Sequence, residues 1–267
     1  MDRRVYNSNG EYPGIPIPIE EKQKRLYHYT TLESFLKIWV TKKLLFSNSS
    51  RMNDILESNK SLSVSLGSKD IWQEYHDAVY SYKQISLTMD YDSYIRGSMS
   101  RMMWGHYGQK GDGVCIELDP YRINFDNTIA KAVSYSNTAL SLPVLPSNIR
   151  DKEDIEKYLL DNKDLFFFIK TEDWSGENEF RIVSNTLESL DISNAITNVY
   201  VTSCWSLTCQ CVEEIVKDVP VLFFHHNQTK DWLVPIVSST VAYRGSFMKP
   251  SKEKKSIVFQ NGQLESQ

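Results

Sequence analysis

The order of its short apolar runs constrains the fold of this chain more than any other feature. Leu26-Tyr-His-Tyr29 is aromatic and β-favouring, and it runs into Thr30-Thr-Leu-Glu33, a capping box of Thr30 and Glu33 that predicts a helix start. Leu32, Phe35, Leu36 and Trp39 then recur at i, i+3, i+4 and i+7 on one helical face, ahead of a second short strand at Leu44-Leu-Phe-Ser47. Ser68 opens another amphipathic helix through Ile71, Trp72, Tyr75 and Val79, followed by expected strands at Gln84 to Thr88 and Gly113 to Leu118. In the latter, Val114, Ile116 and Leu118 alternate with Cys115 and Glu117. A charged helix opened by Asn148 or Asp151 carries Ile155, Leu159 and Leu160 towards Phe166-Phe-Phe-Ile169. Strands follow at Glu177 to Val183, Val199 to Thr202, Val219 to Phe224 and Leu233 to Ala242, with a short helix over Val212 to Lys217. Strands outnumber long helices without regular alternation, which predicts an α+β domain with mostly antiparallel pairing.

One domain is expected over 25–250, with a helical insertion near 137–170. An extended arm at 1–24, where Pro13, Pro16 and Pro18 exclude a helix, precedes it, and a polar tail over 251–267 follows. With 41% hydrophobic and 12% aromatic residues the chain has the material for a ring-rich core. Its formal charge of −4 supplies no net basic field for a nucleic-acid backbone. The four cysteines, Cys115, Cys204, Cys209 and Cys211, fit neither a disulfide framework nor zinc spacing and read as reduced thiols. The N-terminus lacks the apolar stretch of a signal peptide, and no run approaches the roughly 18 apolar residues of a membrane span. The expectation is a cytoplasmic protein with no membrane partner.

Chemistry concentrates in Trp174-Ser-Gly-Glu-Asn-Glu-Phe-Arg-Ile-Val183. Side chains two apart on a strand share a face, so Glu177, Glu179 and Arg181 are expected to project one way, and Phe180 and Ile182 towards the core. That face is either a functional cleft or a solvated, ion-paired surface. His28 sits where a strand end meets a helix N-terminus, beside free backbone donors, and reads as an anion-side residue or a structural histidine. Met103-Trp-Gly-His-Tyr107, next to the glycine-rich loop ending at Gly113, reads either as a clamp for a flat ring or as core packing. His225-His226 reads as structural. Glycine-rich dinucleotide and phosphate fingerprints, the G-x-S-x-G elbow and H-E-x-x-H are all missing, so a bound nucleotide would not be held by a Rossmann or P-loop device.

Four blocks together resemble a widespread bacterial family of domains of unknown function. They are Leu26-Tyr-His-Tyr-Thr30; Met52-Asn-Asp-Ile-Leu-Glu57; Met103-Trp-Gly-His-Tyr107 with Gly113-Val-Cys-Ile-Glu117; and Trp174 to Val183. Members of that family in turn resemble ADP-ribosyltransferases, in which a first strand ends in Tyr-His-x-Thr or His-Gly and a late strand carries a catalytic glutamate, sometimes as Glu-x-Glu. Tyr27-His28-Tyr29-Thr30 and Glu177-Asn178-Glu179 are similar to both. DNA-targeting bacterial toxins of that superfamily similarly pair Tyr-His-x-Thr with a late Glu-Phe-hydrophobic strand, here Glu179-Phe180-Arg181-Ile182-Val183.

The resemblance implies a split, mostly antiparallel β-sheet core with flanking helices, and NAD as substrate. His28 would hydrogen-bond the adenosine-side ribose with Thr30 nearby. Glu179 would hold the nicotinamide ribose and stabilise the charge that develops as nicotinamide leaves, and Glu177 would serve the acceptor. Trp104 or Tyr107 would stack on nicotinamide. Ser47, Tyr107 and Tyr29 compete for the superfamily's middle position, and Arg51, Arg101, Lys170 and Arg181 for the pyrophosphate. The acceptor would be a protein, RNA or DNA, in the setting of a toxin or antiphage defence with an antitoxin or regulator. The alternatives are an NAD glycohydrolase and a non-catalytic binding module of the same fold.

Overall fold

The structure, a computed structural model, describes residues 21–48, 69–91, 96–137, 149–202, 206–226, 233–236, 257–260 and 263–266. In chain order its elements are β1 (Leu26–Thr30), α1 (Leu32–Thr41), β2 (Lys43–Leu45), β3 (Ser47–Asn48), α2 (Lys69–Ser81), β4 (Lys83–Met89), α3 (Arg101–His106), β5 (Val114–Leu118), β6 (Ile129–Ala132) and β7 (Ser134–Ser136). There follow α4 (Lys152–Asp161), α5 (Lys163–Phe167), β8 (Ile169–Thr171), β9 (Glu179–Ser184), β10 (Ser189–Asp191), β11 (Ile196–Val201), α6 (Leu207–Ile215), β12 (Val221–His226), β13 (Leu233–Ile236), β14 (Ile257–Gln260) and β15 (Gln263–Ser266). The chain is mixed α and β, with mostly antiparallel pairing, as its runs predict. It divides into two compact units, Met1–Leu36 with Asp90–Pro120 and Ile196–Gln267, and Lys37–Met89 with Tyr121–Ala195.

The first unit carries strands in the order β13-β12-β11-β5-β1, antiparallel except for β11 against β12, and a β14–β15 hairpin. Central strand β5 is buried at every residue, so the alternation of its sequence separates two covered faces, not a wet face from a dry one. Register sets Tyr27 opposite Glu117 and Tyr29 opposite Cys115, and Tyr27, Tyr29 and Cys115 pack with Met103, Trp104 and Tyr200. Gly113 is the residue that lets the loop close on β1, because a Cβ there would lie 2.4 Å from the Thr30 carbonyl oxygen.

In the second unit β4, β9 and β6 form an antiparallel ladder with β3 added to β4, alongside the pairs β2–β10 and, in parallel, β7–β8. Tyr75, Ala78 and Val79 of α2, Ile155 and Leu159 of α4, and Phe166 to Phe168 close over Val183 in one apolar cluster. Each such side chain fully buried is worth about 1.5–3 kcal/mol, which is why the aromatic run after α4 belongs to the core.

Several expectations need correction. The ladder of β1 runs on through Thr30 opposite Val114, so Thr30 is spent on the strand, and Thr31 caps α1 by accepting the Ser34 N–H at 3.2 Å. The run expected as one strand at Leu44 to Ser47 is split into β2 and β3, with Phe46 between them donating its N–H to the Glu188 carbonyl. Helix α6 lies at Leu207–Ile215, earlier than expected, because Ser206 caps it by accepting the Cys209 N–H at 3.1 Å. Of the two candidate caps for α4, Asp151 serves, accepting the Asp154 N–H at 3.0 Å. Glu177 is not on a strand at all: a 3-10 turn over Glu172–Glu177 precedes β9, and Asn178 between them is left-handed, with φ 45°. The arm over 1–20, Ser68, Arg51, the Met52–Glu57 block, Cys204, the strand beyond Ile236 and most of the tail lie outside the described residues.

Candidate functional site

Strand β9 lies between β4 and β6, so its backbone is paired on both sides, and all its residues but half-buried Phe180 are buried. Glu179 and Arg181 share one face and are 2% and 1% exposed, which removes the reading of a solvated surface. Burial of two charges without water demands that each be fully partnered. Arg181 meets this with a fork: Nε donates to Glu179 Oε1 at 2.7 Å and one terminal nitrogen to Oε2 at 2.8 Å. The other terminal nitrogen donates at 2.6 Å to the carbonyl of Phe167, in the last turn of α5, where a helix leaves its carbonyls without intrahelical partners.

The second cation comes from β8. Lys170 Nζ stands 2.6 Å from Glu177 Oε2 and 2.9 Å from Glu179 Oε2, with all three side chains buried and the ammonium 5.4 Å from the centre of the Trp174 ring. Two carboxylates thus face two cations. Asn178 fixes where β9 begins: its carbonyl accepts the Met89 N–H at 2.8 Å and its side-chain amide donates to the Met89 carbonyl. The Glu179 N–H donates to the Tyr135 hydroxyl oxygen on β7 at 2.9 Å. From β4, opposite Arg181 in the register, Ser86 hydrogen-bonds the Glu179 carboxylate while itself exposed to solvent.

Burial opposes ionisation of Glu179, but the charge and fork of Arg181, then Lys170 and the Ser86 hydroxyl, outweigh it and push the carboxyl down to about 2. Glu179 is therefore a fixed negative charge at neutral pH and has no proton to give. Tyr135 is pushed up to about 12, first by burial and then by the neighbouring carboxylates, and so remains a neutral hydroxyl.

The remaining residues singled out in the sequence fall as follows. Ser47 is on β3, paired with Gln84. In the first unit His28 is half-buried on β1 opposite Ile116, and Thr30 is buried at the strand's end. Tyr29 turns to the other face, donates its hydroxyl to the Gly97 carbonyl and meets Trp104 edge-on at 5.1 Å. Trp104 is 3% exposed and donates Nε1–H to the Ser98 carbonyl at 2.9 Å, so its ring faces core, and Tyr107 at the end of α3 is half-buried. Arg101 is exposed at the first position of α3. Glu177, Glu179, Arg181 and Lys170 come together in the second unit; His28, Tyr29, Thr30, Trp104 and Tyr107 belong to the first.

Sequence reasoning missed two features. Ser86 carried no signal beyond its place in an expected strand. Glu117 was assigned to a strand face but not to a network: it accepts from Thr197 at 2.7 Å, Asn198 at 2.6 Å and Tyr200 at 2.6 Å, and its charge, after burial, holds the Tyr200 phenol well above the usual range. Nearby Asp90 accepts from Tyr27 and Arg96. Among the described residues no cluster of three or more His, Cys, Asp or Glu side chains could hold a metal ion, and no helix is long and apolar enough to cross a membrane.

The fold is that of a mixed α+β protein built on mostly antiparallel sheets. Residues 103–182, less than a third of the chain, match a family described as "Protein of unknown function (DUF2971)", and the match takes in Trp104, Glu117, Lys170, Glu177, Glu179 and Arg181. No curated protein and no solved structure matches the chain.

Proposed function

We propose that the chain is an NAD-dependent ADP-ribosyltransferase with the corresponding split-sheet fold, modifying a protein, RNA or DNA acceptor as a toxin or defence effector. The observation that carries this reading is Glu179, a carboxylate kept ionised in a buried cluster and hydrogen-bonded to Ser86, which is exposed to solvent. A permanently ionised carboxylate is unsuited to proton transfer at neutral pH and suited to stabilising positive charge. In the proposed step the bond between the nicotinamide nitrogen and ribose C1′ breaks, its electron pair leaves with neutral nicotinamide, and Glu179 stabilises the oxocarbenium character left on the ribose. The acceptor's nucleophile forms the new bond to C1′ and its proton passes to Glu177 or solvent. Ser86 takes the middle position for which Ser47, Tyr29 and Tyr107 competed, since it alone of the four hydrogen-bonds Glu179. His28 and Thr30 are assigned to the adenosine side on the resemblance alone. Labelled NAD incubated with protein, RNA and DNA acceptors is expected to transfer label with the wild type and not with Glu179→Gln; equal labelling by both removes Glu179 from the chemistry. NAD loss with stoichiometric nicotinamide and no labelled macromolecule would make water the acceptor.

A second reading, a non-catalytic binding module, is favoured by one specific observation: both Glu179 oxygens already accept from buried cations. Calorimetric titration separates the two, because the module reading survives an absence of NAD binding and the transferase reading does not.

A further inference from the structure

The sequence spacing Glu-x-Glu suggests two carboxylates sharing a strand face, yet Glu177 lies in a 3-10 turn and left-handed Asn178 separates it from β9. Strand periodicity therefore does not bring the two together. What they share is one ammonium group. Lys170 Nζ touches Oε2 of each, so those two oxygens lie no farther apart than the two contacts laid end to end. Like charges this close and this buried would drive one carboxylate to take up a proton unless a cation stood between them. Arg181 already gives its fork to Glu179 and its other terminal nitrogen to the Phe167 carbonyl, while Lys170 is the cation that touches both carboxylates.

We propose that Lys170 is a positioning residue for the carboxylate pair, bridging Glu177 on the acceptor side to Glu179 on the NAD side so that both act together. This deepens the transferase reading and rests on it for its activity. Lysine suits the task where arginine would not: a compact ammonium with three donors serves two carboxylates that are not coplanar, whereas a guanidinium fork matches one. Its stem comes from β8, whose partner β7 carries Tyr135, the acceptor for the Glu179 N–H. Among the described residues, the groups facing the pair include Lys170, Arg181, Tyr135, the Ser86 hydroxyl and the Trp174 ring. Of these, Arg181 remains as a cation once Lys170 is gone.

The test compares wild type, Lys170→Met, Lys170→Arg and Lys170→Met/Glu177→Gln, each for melting temperature and for NAD cleavage between pH 5 and 8. Without its bridge the pair keeps one carboxyl raised above its ordinary value, and a raised folded-state value gives stability that is present at low pH and lost as pH rises. The melting deficit of Lys170→Met is therefore expected to grow from pH 5 to pH 8, and that of the double variant to stay level, because the competing carboxylate is gone. Lys170→Arg keeps the charge and is expected to show a level deficit too. NAD cleavage by Lys170→Met should climb with pH by up to about tenfold per unit, while wild type is flat. A deficit in Lys170→Met that is the same at every pH, or a double variant as pH-dependent as the single one, overturns the proposal. If Lys170→Met does not fold, the double variant is expected to, and failure of both also overturns it. Melting curves that behave as described with no NAD cleavage by wild type would sink the transferase reading and leave the bridge standing; cleavage by wild type with level melting deficits would do the reverse.

Discussion

Acid should remove the stability that the Glu179 cluster supplies, and Glu179→Gln should remove the acid dependence. In the folded protein the carboxyl sits at about 2 against an ordinary value of 4.5. At about 1.4 kcal/mol per unit the ionised form is favoured by about 3 kcal/mol in the folded state. The folded-state value is depressed, so this stability is complete above pH 4.5 and drains as pH falls towards 2; at pH 3 about 2 kcal/mol of it is gone. Glu179→Gln loses about 3–5 kcal/mol at neutral pH, because Arg181 and Lys170 are left buried with one carboxylate between them. Urea unfolding of both proteins at pH 5.5 and pH 3 measures the two slopes, other carboxylates being common to both. The wild type should lose about 2 kcal/mol more than the variant over that interval. Equal losses would mean that Glu179 carries no such charge in the folded protein.

Three further outcomes follow from the geometry. Thr31→Ala should lower stability by about 1 kcal/mol through loss of the α1 cap, whereas Thr30→Val, one residue earlier, should leave the helix start intact; thermal melts distinguish the pair. Gly113→Ala should destabilise the first unit, since the added methyl meets the Thr30 carbonyl oxygen, and amide hydrogen exchange should report the loss in β1 and β5 first. Tyr200→Phe strips one of the three donors from buried Glu117 and should cost about 1–3 kcal/mol in urea unfolding, with no effect on the Glu179 cluster.

What was legible in the sequence was whatever a local pattern determines alone. The strand at Leu26 to Tyr29, the apolar face of Phe35 and Trp39 and the alternation through Val114 to Leu118 all read correctly, because their periods are set by neighbours in the chain. The cap moved from Thr30 to Thr31 because pairing with Val114, a partner more than eighty residues away, claimed Thr30 for the ladder. Burial of β9 was likewise illegible: the charged pattern Glu-x-Glu-x-Arg reads as a wet face, and it takes distant segments, Phe167 of α5 and Lys170 of β8, to meet its charged groups. Glu177 and Glu179 were singled out for sharing a strand face, which they do not; they meet through Lys170, and no local period signals that. Ser86 escaped notice because its significance lies wholly in being opposite Arg181.

Nicotinamide release from NAD, measured side by side for the wild type and for Glu179→Gln held at a temperature where both are folded by near-UV circular dichroism, tests the central claim most directly. Release by the wild type and loss of it in the variant is the outcome predicted for a carboxylate that stabilises the departing nicotinamide's ribose. Undiminished release by the variant, or no release by the wild type with any acceptor, would contradict it.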